Sequence, residues 1–210
     1  MGKGHRFNRR IGFKLTKKLF LIASEGAETE PRYFEEIKLG VSRNSIIRVR
    51  LVGNPNHKSH PNEVLKRLID AAKAEGIKSG DELWLVIDRD AWDVADLNQV
   101  CKHAMKSGFS VVLSNPCFEL WLFLHLQNNR HFVDRHHCQR ELGKICKSYG
   151  SKGKSGYDAK SLMTAIAKAI QRAKVLDVRP KDPWPKNQAT RVYLLVEKLL
   201  IGISSTAEKS

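Results

Sequence analysis

Apolar positions in the first half of the chain fall into short continuous runs separated by stretches of helical period. Lys18-Leu-Phe-Leu-Ile-Ala-Ser24 and Glu82-Leu-Trp-Leu-Val-Ile87 are rich in branched and aromatic residues. Both are too short for stable helices, which predicts buried strands. Ser45-Ile-Ile-Arg-Val-Arg-Leu-Val52 partly alternates and predicts another strand, as does the segment 109–113. Between them lie predicted helices from Pro31 to Lys38, from about Pro61 to Glu75 and from about Val94 to Lys106. Pro31 and Pro61 suit a first helical turn, and Gly26 suits a tight turn. Strands separated by helices of this length imply right-handed crossovers, hence an α/β fold with a mainly parallel sheet. Beyond residue 114 the pattern becomes helical. Asn115-Pro116 opens the strongly apolar Cys117-Phe-Glu-Leu-Trp-Leu-Phe-Leu-His-Leu126. Weaker helices are expected near 134–147, 158–175 and 190–200. The chain thus divides into an arm (1–17), an α/β core (18–129) and a helical region packed on that core (130–205).

The two clearest strands each end on acid. The first runs into Glu25 and the other into Asp88-Arg89-Asp90. In open α/β sheets that carboxyl edge is where ligands collect. If strand geometry persists, Asp88 and Asp90 point the same way and Arg89 points away. Carboxylates gathered from two strand ends provide what a hard cation such as Mg²⁺ requires, oxygen ligands with room for water and phosphate. The structural alternative is capping: Asp90 or Asp93 can cap the helix that opens near Val94.

Charge sharpens this picture. The formal net charge is +15, unevenly spread. Residues 1–19 carry seven Lys/Arg and no acid, whereas residues 20–129 hold 13 basic and 15 acidic residues. Residues 130–191 hold 15 basic and five acidic residues. The acid-tipped strands therefore sit in a slightly acidic segment between basic flanks, which suits a metal site beside a grip on a polyanion. Solvated surface is the plainer reading of such flanks. No apolar run reaches the ~18 residues of a membrane span, and the N-terminus lacks an apolar signal core, so no membrane partner and a cytoplasmic location are expected. Cys101, Cys117, Cys138 and Cys146 form no C-x-x-C pair and read as reduced thiols.

Glu119 stands in an apolar helix, where a glutamate is buried only if something pairs with it. A metal ion or a Lys or Arg from the basic half would do so; an exposed stripe or a structural pairing is the alternative. Gly150-Ser-Lys-Gly-Lys-Ser155 fails the phosphate-loop pattern G-x-x-x-x-G-K-[ST], and no strand precedes it. It reads as a basic loop able to touch phosphates. His131, His136, His137, Cys138 and Cys146 match no structural zinc spacing.

Three blocks carry a family resemblance: Glu25-Gly-Ala-Glu-Thr-Glu-Pro-Arg-Tyr-Phe34, Asp81-Glu-Leu-Trp-Leu-Val-Ile-Asp-Arg-Asp90 and Ser114-Asn-Pro-Cys-Phe-Glu-Leu-Trp-Leu-Phe-Leu-His125. With the closing segment Asn187-Gln-Ala-Thr-Arg-Val-Tyr-Leu-Leu-Val-Glu-Lys-Leu199, they resemble RloB-like proteins in order over 18–199. The N-P-x-F-E-x-W block is the most specific. Glu28 and Gln188 depart from the family pattern, which has a basic residue and a proline there. The family is associated with abortive phage resistance and is often encoded beside an ATPase. Its core resembles the Toprim fold of topoisomerases, primases, overcoming-lysogenization-defect nucleases and small RNA maturases.

The resemblance implies a Toprim-like core in which Glu25, Asp88 and Asp90 hold Mg²⁺ (possibly Mn²⁺). Glu30 and Glu119 are then candidates for a second ion or a general base. Lys144, Lys147, Lys152, Lys154 and Lys160 are candidates for holding nucleic acid, DNA or RNA. The implied function is a metal-dependent nuclease of phage defence working with a partner ATPase. The alternative is a non-enzymatic nucleic-acid-binding or ATPase-docking module with a vestigial metal site. Topoisomerase action is disfavoured, because a chain of this size has little room for separate tyrosine-bearing and strand-gating parts.

Overall fold

Successive residues of the central strands feed two different cores. Phe20 and Ile22, Trp84 and Val86, and Val112 lie in one apolar cluster. Leu19, Leu21 and Ala23, Leu83, Leu85 and Ile87, and Leu113 lie in the other. A strand buried on both faces needs helices on both faces, which is why these runs are continuous rather than alternating. In the computed structural model, which describes residues 17–41, 45–89, 92–150 and 156–204, both helical layers are present.

The sheet consists of β1 (Lys18–Ser24), β2 (Ile47–Val52), β3 (Glu82–Asp88), β4 (Ser110–Asn115) and β5 (Ala189–Thr190), in the order β2-β1-β3-β4-β5. The first four are mutually parallel, and β5 pairs antiparallel with β4. This is the mainly parallel α/β arrangement expected of a Toprim-like core. Helices α2 (Pro61–Glu75) and α3 (Val94–Lys106) cover one face through Val64, Leu65 and Leu68, and Leu97, Val100 and Cys101. The other face carries α1 (Thr29–Leu39), α4 (Glu119–Leu126), α5 (Arg135–Ile145), α6 (Ala159–Leu162), α7 (Ile166–Leu176) and α8 (Val192–Ser204).

Local chemistry sets the boundaries. Pro61 opens α2, and the Asp93 side chain accepts from the Ala95 N–H to cap α3. Helix α1 starts at Thr29, two residues before the expected Pro31, with Glu28 at its N-cap. The helix expected at 158–175 is interrupted: a 3-10 turn at Met163–Ala165 separates α6 from α7. The short strand β5 occupies the predicted start of the last helix.

Residues of the C-terminal region, including Tyr157, Leu162, Ala173, Val196 and Leu199, share the larger core with β1 and β3. Arg191, just after β5, is buried and makes two bonds to Asp177, Nε to Oδ2 at 2.9 Å and an Nη2 to Oδ1 at 3.1 Å. Tyr193 OH donates to the same carboxylate at 3.0 Å. At the other edge of the sheet, exposed Arg48 and Arg50 of β2 both pair with Glu75 of α2. Among the described residues no helix is long and apolar enough to cross a membrane.

Candidate carboxylate cleft

The chain leaves β1 towards β2 on one side and later returns to place β3 on the other side of β1. The ends of β1 and β3 therefore flank the point where strand order reverses, the crevice where open α/β sheets bind ligands. Glu25 stands there, its N–H bonded to Val86 O at 3.0 Å so that the pairing continues one residue past β1. Its backbone is fixed from two sides. Asn54 Nδ2 donates to Glu25 O at 3.0 Å, and an Arg67 Nη2 donates to Ser24 O at 2.8 Å. The carboxylate Oε2 accepts from the Asp88 N–H at 3.2 Å and from Trp92 Nε1–H at 3.1 Å.

Asp88 ends β3 on the face that carries Trp84 and Val86 and lines the same cleft as Glu25. Glu30, in the first turn of α1, is buried and turns back so that Oε1 accepts the Gly26 N–H at 2.8 Å. Only glycine fits at 26 beside this carboxylate: a Cβ there would lie 2.8 Å from Glu30 Oε1 and Cδ and closer still to Oε2. Glu119 opens α4 and is buried. Its Oε1 accepts from Gln139 Nε2 at 3.0 Å and from Tyr149 OH at 2.8 Å. The pairing expected for Glu119 is present, but from neutral donors of α5 and the loop after it rather than from Lys or Arg.

All four acids line one cleft of about 250 Å³, together with Gly26, Thr29, Arg135 and Gln139. Burial is the largest cause that pushes the Asp88 carboxyl well above the usual aspartate range, followed by the charges of Glu25, Glu30 and Glu119. The Phe118 N–H, bonded to Asp88, opposes this. Burial likewise pushes Glu30 up to about 7; its bond from Gly26 opposes this and the charge of Glu119 adds to it. A pocket in which burial and mutual repulsion disfavour the charged forms of Asp88 and Glu30 suits a cation, and an all-oxygen donor set suits a hard one. Among the described residues no three His, Cys, Asp or Glu side chains are grouped closely enough to hold an ion. Asp90, the third expected ligand, lies outside the described residues.

Behind the cleft, buried His125 is held neutral. Its Nδ1 lies 2.9 Å from Trp121 O, so Nδ1 carries the proton, and Nε2 accepts from Tyr33 OH at 3.0 Å. Burial depresses its pKa to about 4.

These elements bear the blocks quoted from the sequence, and the family model for RloB-like proteins matches residues 20–199. The chain belongs to the RloB-like family. No curated protein and no solved structure gives a significant match.

In this RloB-like protein Lys144, Lys147 and Lys160 are exposed, and Lys144 pairs with Glu141 at 2.5 Å. Lys152 and Lys154 lie outside the described residues. In the sequence they fall between Tyr149, bonded to Glu119, and Tyr157, whose OH donates to Thr29 O at 2.9 Å. The family departure Gln188 has a local task. Its Oε1 accepts the Phe132 N–H at 2.7 Å, and Nε2 donates to Arg130 O at 2.7 Å. All four cysteines are unpaired and buried. Sequence reasoning missed Trp92, Gln139, Tyr149 and Arg135 as parts of the site. Only the N-P-x-F-E-x-W block signalled where they would converge, since it fixes Glu119 beside the β4 end.

Proposed function

We propose that this RloB-like protein is a divalent-cation-dependent nuclease of a phage-defence system that acts with a partner ATPase. The observation that carries the reading is the convergence of Glu25, Glu30, Asp88 and Glu119 on one cleft at the strand-order reversal. Glu25 and Asp88, with Asp90, would hold Mg²⁺ or Mn²⁺. Such a cation, when bound, supplies charge stabilisation for a phosphodiester and lowers the pKa of water. The chain itself contributes order and proton chemistry. The Asp88 and Trp92 N–H groups aim the Glu25 carboxylate, and Gln139 and Tyr149 aim that of Glu119. Glu30, with a pKa near 7, is matched to accepting or returning a proton at neutral pH.

The rival reading, an adaptor with a vestigial site, is favoured by one feature: Glu25, Glu30 and Glu119 already accept hydrogen bonds from protein donors. The two readings separate on Asp88→Asn, which keeps the side-chain shape and removes the charge. Parent and variant are incubated with labelled DNA and RNA, with and without Mg²⁺ or Mn²⁺, and with any ATPase encoded alongside. The nuclease reading expects metal-dependent cleavage by the parent and a loss of orders of magnitude in the variant, with binding kept and Asp96→Asn nearly silent. Equal cleavage by Asp88→Asn, or none by the complete parent system, overturns it in favour of the adaptor.

A further inference from the structure

Arg135 belongs to two hollows. One is the carboxylate cleft; the other is a groove of about 460 Å³ lined by Arg89, Asn115, Asp134, Arg135, His136 and Lys186 among others. Three of these, Arg89, Arg135 and Lys186, are cationic. They come from three separate parts of the chain: the end of β3, the first turn of α5 and the loop before β5. The backbone of Arg89 and of Lys186 is fixed at the carboxyl end of β4. The Arg89 N–H donates to Ser114 O at 2.8 Å, and Asn115 Nδ2 donates to the carbonyls of Pro185 at 3.2 Å and Lys186 at 3.0 Å. Among the described residues that line the groove the one carboxylate is Asp134, which caps α5 by accepting the His137 N–H at 2.7 Å. Arg135 and Gln139 lie one turn apart on the same face of α5, and both line the cleft. The side chains of Arg135, His136 and Lys186 are exposed.

A cleft of carboxylates repels a polyanion wherever a cation does not cancel its charge, and attraction of the neighbouring phosphates alongside offsets that repulsion. We propose that this groove holds the backbone phosphates of a nucleic-acid strand next to the phosphodiester presented to the cleft, with Arg135 as the shared wall. The assignment rests on the nuclease reading for what occupies the cleft, and it adds a second binding surface to Lys144, Lys147 and Lys160. Another groove, lined by Asn128, Lys168, Gln171, Arg172, Val175 and Leu176 among others, shares no residue with the cleft.

The test is fluorescence anisotropy of the full chain with labelled single-stranded DNA and RNA, in EDTA so that nothing is cleaved, over a range of salt. Arg135→Ala and Lys186→Ala are each expected to weaken binding by about tenfold and the double variant by about a hundredfold. The slope of log affinity against log salt should fall by about 0.7 for each phosphate that is no longer neutralised. Lys168→Ala should match the parent. Lys186→Glu, a reversal on an exposed side chain, should weaken binding further, with thermal melts confirming the fold of each variant.

Parental affinity and salt slope in the double variant would overturn the proposal, as would a parent that binds neither nucleic acid. Equal displacement of the oligonucleotide by polyglutamate would reassign the groove to an acidic protein surface and overturn it too. The nuclease reading fails separately. If the parent binds through the groove yet never cleaves, the groove assignment stands and the chemistry falls. If groove variants bind like the parent while Asp88→Asn abolishes cleavage, the chemistry stands and the groove assignment falls.

Discussion

Replacing Glu30 by glutamine should stabilise the protein, and by an amount set by pH. Glutamine keeps an oxygen to accept the Gly26 N–H and removes the carboxylate whose burial holds the pKa at about 7 against an ordinary 4.5. Between those values the folded chain binds a proton that the unfolded chain has released, so this group makes stability fall as pH rises from 4.5 to 7. At about 1.4 kcal/mol per pH unit, the full effect above pH 7 is about 3 kcal/mol. His125 works in the opposite sense. Its folded pKa is about 4 against 6.5 unfolded, so the stability it confers is present above 6.5 and is lost as pH falls towards 4. In the parent the two slopes largely cancel between about pH 4.5 and 6.5. Glu30→Gln should uncover the His125 slope, nearly matching the parent at pH 4 and exceeding it by about 3 kcal/mol at pH 8. Urea unfolding followed by tryptophan fluorescence, in EDTA from pH 4 to 8, measures both curves. A Glu30→Gln effect that is constant across this range, or destabilising at pH 8, refutes the reasoning.

Gly26→Ala should displace the Glu30 carboxylate from its berth at a cost of about 1 kcal/mol in acid, and its pH profile should then follow that of Glu30→Gln; a parental profile would show that Glu30 keeps its place. Arg191→Ala strands the buried Asp177 carboxylate and should cost about 3–5 kcal/mol in urea unfolding, and a loss under 1 kcal/mol would mean that the ion pair does not hold the 177–191 segment. Mg²⁺ at a hundred times its dissociation constant should stabilise the parent by about 2.7 kcal/mol. The thermal midpoint of Asp88→Asn should not respond to the ion, and an equal response would place binding elsewhere.

Much of the α/β core was legible because its signals are local. Pro61 and Asp93 punctuate α2 and α3 at the residues where those helices begin. Uninterrupted apolar runs announce β1 and β3, whose two faces are both covered. What failed depends on distance. Ala189–Thr190 is too short to show a period and is a strand only because β4 lies beside it. Glu119 could be recognised as needing a partner, but Gln139 and Tyr149 are 20 and 30 residues away and carry no charge to betray the match. The expectation that Pro31 opens α1 fell to Glu30, whose bond from the Gly26 N–H belongs to a turn that begins at Thr29 and leaves Pro31 inside the first turn.

The two edges of the sheet have a consequence for how copies of the chain can meet. At one margin, β2 carries exposed Arg48 and Arg50, both tied to Glu75 of α2, so a second β2 brought alongside would have to crowd these charged groups. At the other margin, β5 offers two residues, both buried, immediately followed by the buried Arg191. Among the described residues neither border offers a long uncharged strand for edge-to-edge pairing. The most apolar strands, β1 and β3, stay in the interior of the sheet, where a second chain has no strand edge to meet.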